Sequence, residues 1–356
     1  MTQGARPATV LEVLDTHVAG EPARLVLNAA ALLRGATPAE RREDLLARQS
    51  WMRTGLMREP RGHRDMFGVV VVPPSGPAAD VGAVFMEHDG APMSCGHGTI
   101  GLVSAIVDRG IVPGLDGATT VRVETPSGIV PVEVNRDERG ALASVVLHQP
   151  AMRVAARIVL PHPGRAGGAV DAVLVGGSTW VLLVDEAGLG VEIATTDSED
   201  LLALVRGLRA EVLAWLRGSP AELGAAADEA ARHLAGSPIA IVGRPAREDC
   251  EVRTFVGFGE RSIDRSPCGT AVSALIALRA TDRLLQPGQW LAIEGVSGER
   301  FDASIAPAAA DGADDGDDDR AEDGRVSALI RGRGFVTGVA AYEFDAADPF
   351  AAGFAV

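Results

Sequence analysis

Lysine is absent from this sequence, because all 33 basic residues are arginine. An enzyme that uses pyridoxal phosphate needs a lysine for its Schiff base, and a P-loop needs one to bind phosphate. The absence of lysine excludes both classes. Any reaction at a Cα–H bond in this protein must therefore proceed without the electron sink that pyridoxal phosphate supplies.

Cysteine is also scarce, with three residues at wide spacing: Cys95, Cys250 and Cys268. A small, odd number predicts reduced thiols in the cytosol rather than a disulfide framework. The sequence has no C-x-x-C motif, and its seven histidines are scattered singly. We therefore expect no zinc or other metal site and no cofactor.

No apolar run reaches the roughly 18–20 residues that a membrane-spanning helix requires. The N-terminal residues lack a basic region followed by an apolar core, so we expect no signal peptide and a soluble, cytoplasmic protein. The formal charge of −15 disfavours nucleic acid and anionic membranes as partners. Much of this charge lies between Asp311 and Asp323, where eight acidic residues accompany one arginine. This composition predicts a flexible acidic loop over residues 309–324.

The 356 residues are enough for two hydrophobic cores. Short alternating or β-branched segments predict many strands, and helical spacing predicts helices over residues 38–54, 99–109, 197–217, 220–234 and 271–285. We predict a mixed α/β (α+β) fold with two domains. The first spans residues 1–150, contains Cys95 and is joined by the C-terminal segment 334–356. The second spans residues 151–333 and contains Cys268.

The sequence around Cys95 is repeated around Cys268. Each cysteine is followed by glycine, an apolar helix, a strand, a Ser-Gly turn and another strand. The distance from the cysteine to the serine of the turn is 32 residues from Cys95 to Ser127 and 29 residues from Cys268 to Ser297. Self-similarity at this scale predicts two related halves, each with a cysteine at the start of its central helix.

A helix N-terminus leaves backbone amides without intrahelical acceptors and adds positive potential. Such a terminus binds a carboxylate and lowers the pKa of a cysteine placed there. Inversion at a carbon needs a base on one face and an acid on the other. Two cysteines facing one cleft suit this exchange, with one thiolate removing the α-proton and the opposite thiol returning one. We therefore predict an amino-acid racemase or epimerase.

Two further side chains are candidates for this site. His97 follows Cys95 by two residues and could orient that thiol or bind a substrate amino group, while Asp264 precedes Cys268 by four and could accept a hydrogen bond from a cationic ring nitrogen. Taken alone, either residue is more often a cap or a turn former. Cys250 has no neighbouring glycine and no helix entry, so we predict that it is a bystander.

Two segments closely resemble the signature motifs of the proline racemase family: M-S-C-G-H-G-T-I-G at residues 93–101 and D-R-S-P-C-G-T at residues 264–270. Further segments resemble the same family at residues 15–24, 59–63, 65–68, 124–128 and 334–350. The family includes proline racemases, 4-hydroxyproline 2-epimerases and trans-3-hydroxyproline dehydratases. The resemblance implies a diaminopimelate-epimerase-like fold of two pseudo-symmetric halves, each with a curved, mostly antiparallel sheet around a central helix.

The resemblance also implies the site residues. The family's two catalytic thiols fall on Cys95 and Cys268. Its partners for the ring nitrogen fall on His97 and Asp264. The remaining substrate-binding positions are the carboxylate-binding amides, which fall on Gly96, His97, Gly269 and Thr270, and the two aromatic walls, which fall on Phe67 and Phe258.

The substrate stays open between proline and 4-hydroxyproline. Two phenylalanine walls favour plain proline, whereas the C-G-H-G-T-I-G form of the first motif is common among hydroxyproline epimerases. In the dehydratases the second cysteine is typically threonine, so Cys268 favours epimerisation over dehydration of 3-hydroxyproline. A non-catalytic imino-acid-binding protein is the alternative from another class. We expect a small-molecule substrate, and monomer and homodimer both remain open.

Overall fold

The computed structural model describes residues 9–177, 179–218, 221, 223–307 and 324–355. The strands, in chain order, are β1 (Thr9–Val18), β2 (Glu21–Val26), β3 (Phe67–Val72), β4 (Val81–Glu87), β5 (Thr120–Thr125), β6 (Gly128–Arg136), β7 (Leu142–His148), β8 (Arg153–Pro161), β9 (Ala169–Gly176), β10 (Trp180–Asp185), β11 (Ile239–Gly243), β12 (Val252–Phe258), β13 (Ser262–Asp264), β14 (Trp290–Glu294), β15 (Arg300–Ile305), β16 (Ala328–Gly332) and β17 (Gly334–Phe344). The helices are α1 (Pro38–Ala47), α2 (Ser50–Met57), α3 (Gly96–Arg109), α4 (Glu186–Leu189), α5 (Ser198–Arg217), α6 (Ala226–Leu234) and α7 (Gly269–Thr281). The predicted acidic loop over residues 309–324 lies, apart from Gly324, outside the described residues.

The chain forms two compact units, the first made of residues 1–147 and 333–356 and the second of residues 148–332. In the first unit the strands lie in the order β17-β1-β2-β3-β4-β5-β6-β7. The pairs β2–β3 and β4–β5 are parallel and the others are antiparallel. Helix α3 packs against β17, β1, β2 and β3, and every residue from His97 to Val107 is buried. The helix ends at Gly110 in the left-handed conformation, as the sequence predicts.

The second unit repeats this pattern of pairings. Its strands lie in the order β8-β9-β10-β11-β12-β14-β15-β16, with β13 added to β12 as a short antiparallel partner. The parallel pairs, β10–β11 and β12–β14, hold the same places in the order as in the first unit. Helix α7 packs against β8, β9, β10, β15 and β16, while α5 and α6 contribute to a separate apolar cluster. The prediction of a mixed α/β fold with mostly antiparallel strands and a buried helix in each half is confirmed.

Several element boundaries differ from the prediction. The helix predicted over residues 38–54 is two helices, α1 and α2, which separate at Arg48 and Gln49. Both helices bury their apolar side chains in one cluster, with Leu45 from α1 and Met52 and Leu56 from α2. The break lets each short helix turn its own apolar face towards this cluster. The helix predicted from Pro220 begins at Ala226, and Pro220 itself lies outside the described residues.

Among the helices that the structure describes, none combines the length and the apolar character that crossing a membrane requires.

Candidate active site

Cys95 is the N-cap of α3, with an extended backbone conformation at φ −152°. Its sulfur accepts a hydrogen bond from the amide of Gly98 at 3.3 Å, so the thiol occupies the place that a serine or aspartate oxygen takes in an ordinary N-cap. A Cβ on residue 98 would lie 3.1 Å from this sulfur, and glycine therefore leaves room for the thiol above the first turn. The sulfur thus sits at the positive end of a buried helix.

His97 lies directly against this thiol. The Cys95 sulfur is 3.5 Å from Nδ1 and 3.7 Å from Nε2 of the imidazole, which is only 4% exposed. The ring of Phe67 meets the His97 ring edge-on, with centroids 4.5 Å apart. The structure therefore brings four predicted residues of the first unit together: Cys95, Gly96, His97 and Phe67.

Cys268 is the N-cap of α7 and has a backbone φ of +65°, a left-handed conformation that residues other than glycine rarely adopt. Backbone strain of this kind typically costs about 1–3 kcal/mol and persists only where the surroundings enforce it. Here the amide of Cys268 donates to Ser266 Oγ at 3.1 Å, and its carbonyl accepts from the amide of Val272 at 2.8 Å. These two bonds fix the residue on both sides of the strained torsion.

Asp264 anchors the turn that leads to Cys268. Its Oδ1 accepts hydrogen bonds from the amide of Ser266 at 2.8 Å and from Ser266 Oγ at 2.6 Å, and both side chains are buried. Strand β13, which ends at Asp264, pairs with β12 so that Val256 stands opposite Asp264 and Phe258 opposite Ser262. Because alternate residues share a face, Phe258 and Asp264 lie on the same face of this hairpin. The second unit thereby groups Asp264, Cys268, Gly269 and Thr270, with Phe258 on the neighbouring strand.

The electrostatic surroundings of Cys268 favour its protonated form. Burial raises the pKa of Cys268 well above its usual value, and the negative charge of Asp264 raises it further. The backbone amides of Ala271 and Thr270 act in the opposite direction but do not compensate. The prediction that a helix N-terminus lowers the pKa of the cysteine placed there is therefore wrong for Cys268, because burial outweighs the effect of the helix.

Sequence reasoning did not identify two residues that neighbour the predicted site residues. Ser266 bonds Asp264 and Cys268, and Glu87 pairs with Phe67. Ser266 is fully buried and links Asp264 to the backbone of Cys268, which the spacing D-x-S-x-C could have indicated. Glu87 ends the apolar strand β4 directly opposite Phe67. A charged residue at the end of a strand is ordinarily solvated, so only the register shows where it lies. Cys250 is buried, and burial raises the pKa of its thiol as well.

Comparison with known proteins identifies the family to which the sequence belongs. The sequence matches the family described as proline racemase over residues 13–355. It is 32% identical over 348 residues to a 4-hydroxyproline epimerase of Brucella ovis, covering 96% of this chain and 97% of that protein. It is 29% identical over 344 residues to a proline racemase of Clostridioides difficile, covering 97% of each.

Solved structures share the fold. A hydroxyproline epimerase from Agrobacterium vitis with bound trans-4-hydroxy-L-proline superposes with a TM-score of 0.76 at 22% identity, covering 99% of this chain and 96% of that one. A Bacillus anthracis phenazine biosynthesis protein gives a TM-score of 0.61 at 14% identity, covering 94% and 99%. At these identities the likeness establishes the fold alone, and it confirms the predicted fold class.

The match over nearly the whole chain defines this protein as an isomerase of the racemase and epimerase class. The chain belongs to the proline racemase family.

Proposed function

We propose that this protein inverts the Cα of free proline or 4-hydroxyproline without a cofactor, using Cys95 and Cys268 as the acid and base. The observation that supports this most strongly is the repetition between the two units. Each unit places a cysteine at the N-terminus of its buried central helix, inside a sheet with the same order of parallel and antiparallel pairs. A single nucleophile would not need the second copy.

The proposed step moves two protons. One cysteine, as the thiolate, removes the proton from Cα, and the electron pair of that C–H bond passes onto the carbon and its carboxylate. The other cysteine, as the thiol, gives its proton to the opposite face of the carbon. The substrate ends inverted, with the first cysteine protonated and the second ionised. The reverse reaction uses the same groups in exchanged roles.

The first-turn amides stabilise the charge that develops on the carboxylate. We propose that the amides of Gly96, His97, Gly269 and Thr270 bind it, because each belongs to the first turn of α3 or α7 and such turns attract anions. His97 and Asp264 would accept hydrogen bonds from the ring nitrogen, and Phe67 and Phe258 would enclose the apolar ring atoms. The buried carboxylate of Asp264 suits a cationic amine, which would also offset the charge that raises the pKa of Cys268.

The surroundings of Cys268 indicate the resting state of that thiol. Burial and Asp264 hold Cys268 in the protonated form, which makes it the acid of the first half-reaction. Cys95, whose sulfur accepts the Gly98 amide, is then the base. This mechanism requires both sulfurs to be reduced, which agrees with the proposed cytoplasmic location. A rate that depends on added reductant would show that the thiols can be lost to oxidation.

The test is deuterium exchange in heavy water over a panel of proline, trans-4-hydroxy-L-proline and trans-3-hydroxy-L-proline. We expect deuterium at Cα together with the appearance of the epimer for proline or the 4-hydroxylated substrate. Loss of water from the 3-hydroxylated substrate without inversion would instead identify a dehydratase. Absence of exchange and turnover with all three compounds would support the alternative of a non-catalytic imino-acid-binding protein. In that case pyrrole-2-carboxylate, a planar mimic of the carbanion, would bind no tighter than proline.

A further inference from the structure

A buried arginine on α5 donates hydrogen bonds to three main-chain carbonyls of the second unit. Arg209 is 4% exposed, and its Nη1 donates to the carbonyls of Leu234 and Ser237, the second at 2.9 Å. Its Nη2 donates to the carbonyl of Gly257 at 3.4 Å. Burial lowers the pKa of Arg209 to about 10, so the guanidinium is still charged at neutral pH. A buried charge is costly, and a position that only fills a core would carry an apolar side chain instead.

The bond to Gly257 fixes the residue before Phe258. Gly257 is the next-to-last residue of β12, and Phe258 is the last. A Cβ on Gly257 would lie 2.9 Å from Val205 and 3.1 Å from Leu202, so glycine permits a close approach of the strand to α5. Arg209 lies one turn further along the helix than Val205 and reaches the Gly257 carbonyl from there.

A second, indirect connection fixes the residue after Phe258. Gly259 follows the end of β12, and its amide donates to the carbonyl of Gly236 at 3.1 Å. Gly236 lies in the short connection between α6 and β11. The two carbonyls that Nη1 of Arg209 binds stand on either side of Gly236 in the sequence. Phe258 therefore has a main-chain anchor before it and another after it, and both depend on one guanidinium.

We propose that Arg209 is a positioning residue that holds Phe258 in place as a wall of the substrate pocket. This rests on the proposed function, in which Phe258 encloses the apolar atoms of the substrate ring. Such a wall contacts the ring equally in the ground state and in the transition state, because the bonds that change are at Cα. Uniform binding of this kind lowers KM with little effect on kcat. The planar guanidinium suits the task because its fork binds carbonyls in two directions at once.

The test measures KM and kcat by deuterium exchange at Cα in Arg209→Met, in Phe258→Ala and in the double variant. The control is Arg206→Met, because Arg206 lies on the same helix and donates to the carbonyl of Glu260 at 3.3 Å on the exposed side of the hairpin. We expect KM to rise at least about 10-fold in each single variant, as loss of apolar contact with part of a substrate implies, and kcat to stay within about 3-fold. In the double variant KM should match that of Phe258→Ala within about 2-fold, because coupled residues are not additive. The control should keep the wild-type KM.

An unchanged KM in Arg209→Met, or effects on KM that multiply in the double variant, would overturn this inference and leave the racemase mechanism intact. If Arg209→Met does not fold, Arg209→Lys decides, because lysine keeps the charge but not the fork. We expect the same rise in KM there, and a folded lysine variant with the wild-type KM equally overturns the inference. Absence of exchange in the wild type would instead overturn the proposed function, and with it the role of Phe258 on which the inference depends.

Discussion

Replacing Gly295 by alanine should displace the turn that holds Cys268. A Cβ at this position would lie 2.6 Å from the carbonyl carbon of Ser266, and 2.7 Å from both the carbonyl oxygen of Arg265 and the nitrogen of Pro267. The shortest contact is about 0.8 Å inside the 3.4 Å at which ordinary contact begins. All three atoms belong to the backbone, so no side chain can rotate away. The turn or the β14–β15 hairpin must move instead.

This displacement should lower both the stability of the protein and the rate of the reaction. Overpacking of this kind destabilises by about 1–3 kcal/mol. A shift approaching 1 Å at residues that position a reacting group lowers the rate by about 100-fold. The turn includes Ser266, which bonds both Asp264 and the amide of Cys268, so we expect the loss to fall mainly on kcat.

The assay pairs urea denaturation with the rate of deuterium exchange at Cα. Gly236→Ala is the matched control, because a Cβ on this exposed glycine of the same unit meets nothing within 4 Å. We expect this control to retain wild-type stability and rate. If Gly295→Ala behaves like Gly236→Ala in both measurements, the close approach does not position Cys268, and the reasoning is refuted.

Two further predictions concern ionisation. Because the pKa of Glu87 is raised from 4.5 to about 7, its ionisation opposes folding as pH rises between these values. The unfolding free energy of the wild type should therefore fall relative to that of Glu87→Gln between about pH 5 and pH 8. The fall should be less than about 3 kcal/mol, because solvent partly reaches the side chain. Urea denaturation that gives the same difference in unfolding free energy between the two proteins at both pH values would contradict this. Asp264→Asn removes a negative charge that raises the pKa of Cys268, so the pH midpoint for alkylation of Cys268 by iodoacetamide, followed by mass spectrometry, should move lower. A midpoint that stays or rises would show that Asp264 does not act on the thiol.

The sequence predicts much of the fold because its signals are local. Apolar spacing after Cys95 and Cys268, with glycine in each first turn, was enough to predict α3 and α7 and the cysteine at the start of each. The three-residue strand β13 was missed because it is too short to show an alternating pattern, although it ends at Asp264. The division of residues 38–54 into two helices was missed because no glycine or proline marks it.

The chemistry of the site depended on contacts that no local pattern encodes. The raised pKa of Cys268 comes from burial and from Asp264, and burial is a property of the folded chain. The importance of Gly295 arises because the chain returns to the turn before Cys268 after helix α7. The raised pKa of Glu87 likewise comes first from burial, which no local pattern encodes.

Single serine variants of Cys95 and Cys268, assayed from both epimers of the substrate in heavy water, test the exchange of roles between the two sulfurs most directly. Cys250→Ser is the control, since Cys250 precedes β12 and belongs to neither helix start. We expect Cys95→Ser and Cys268→Ser each to lose inversion by at least about 100-fold, the lower end of what a positioned acid or base contributes, while the control keeps the wild-type rate. In the wild type, newly formed epimer should contain deuterium at Cα before the remaining substrate does. Inversion that persists within about 10-fold of the wild type in either variant would contradict the two-thiol mechanism.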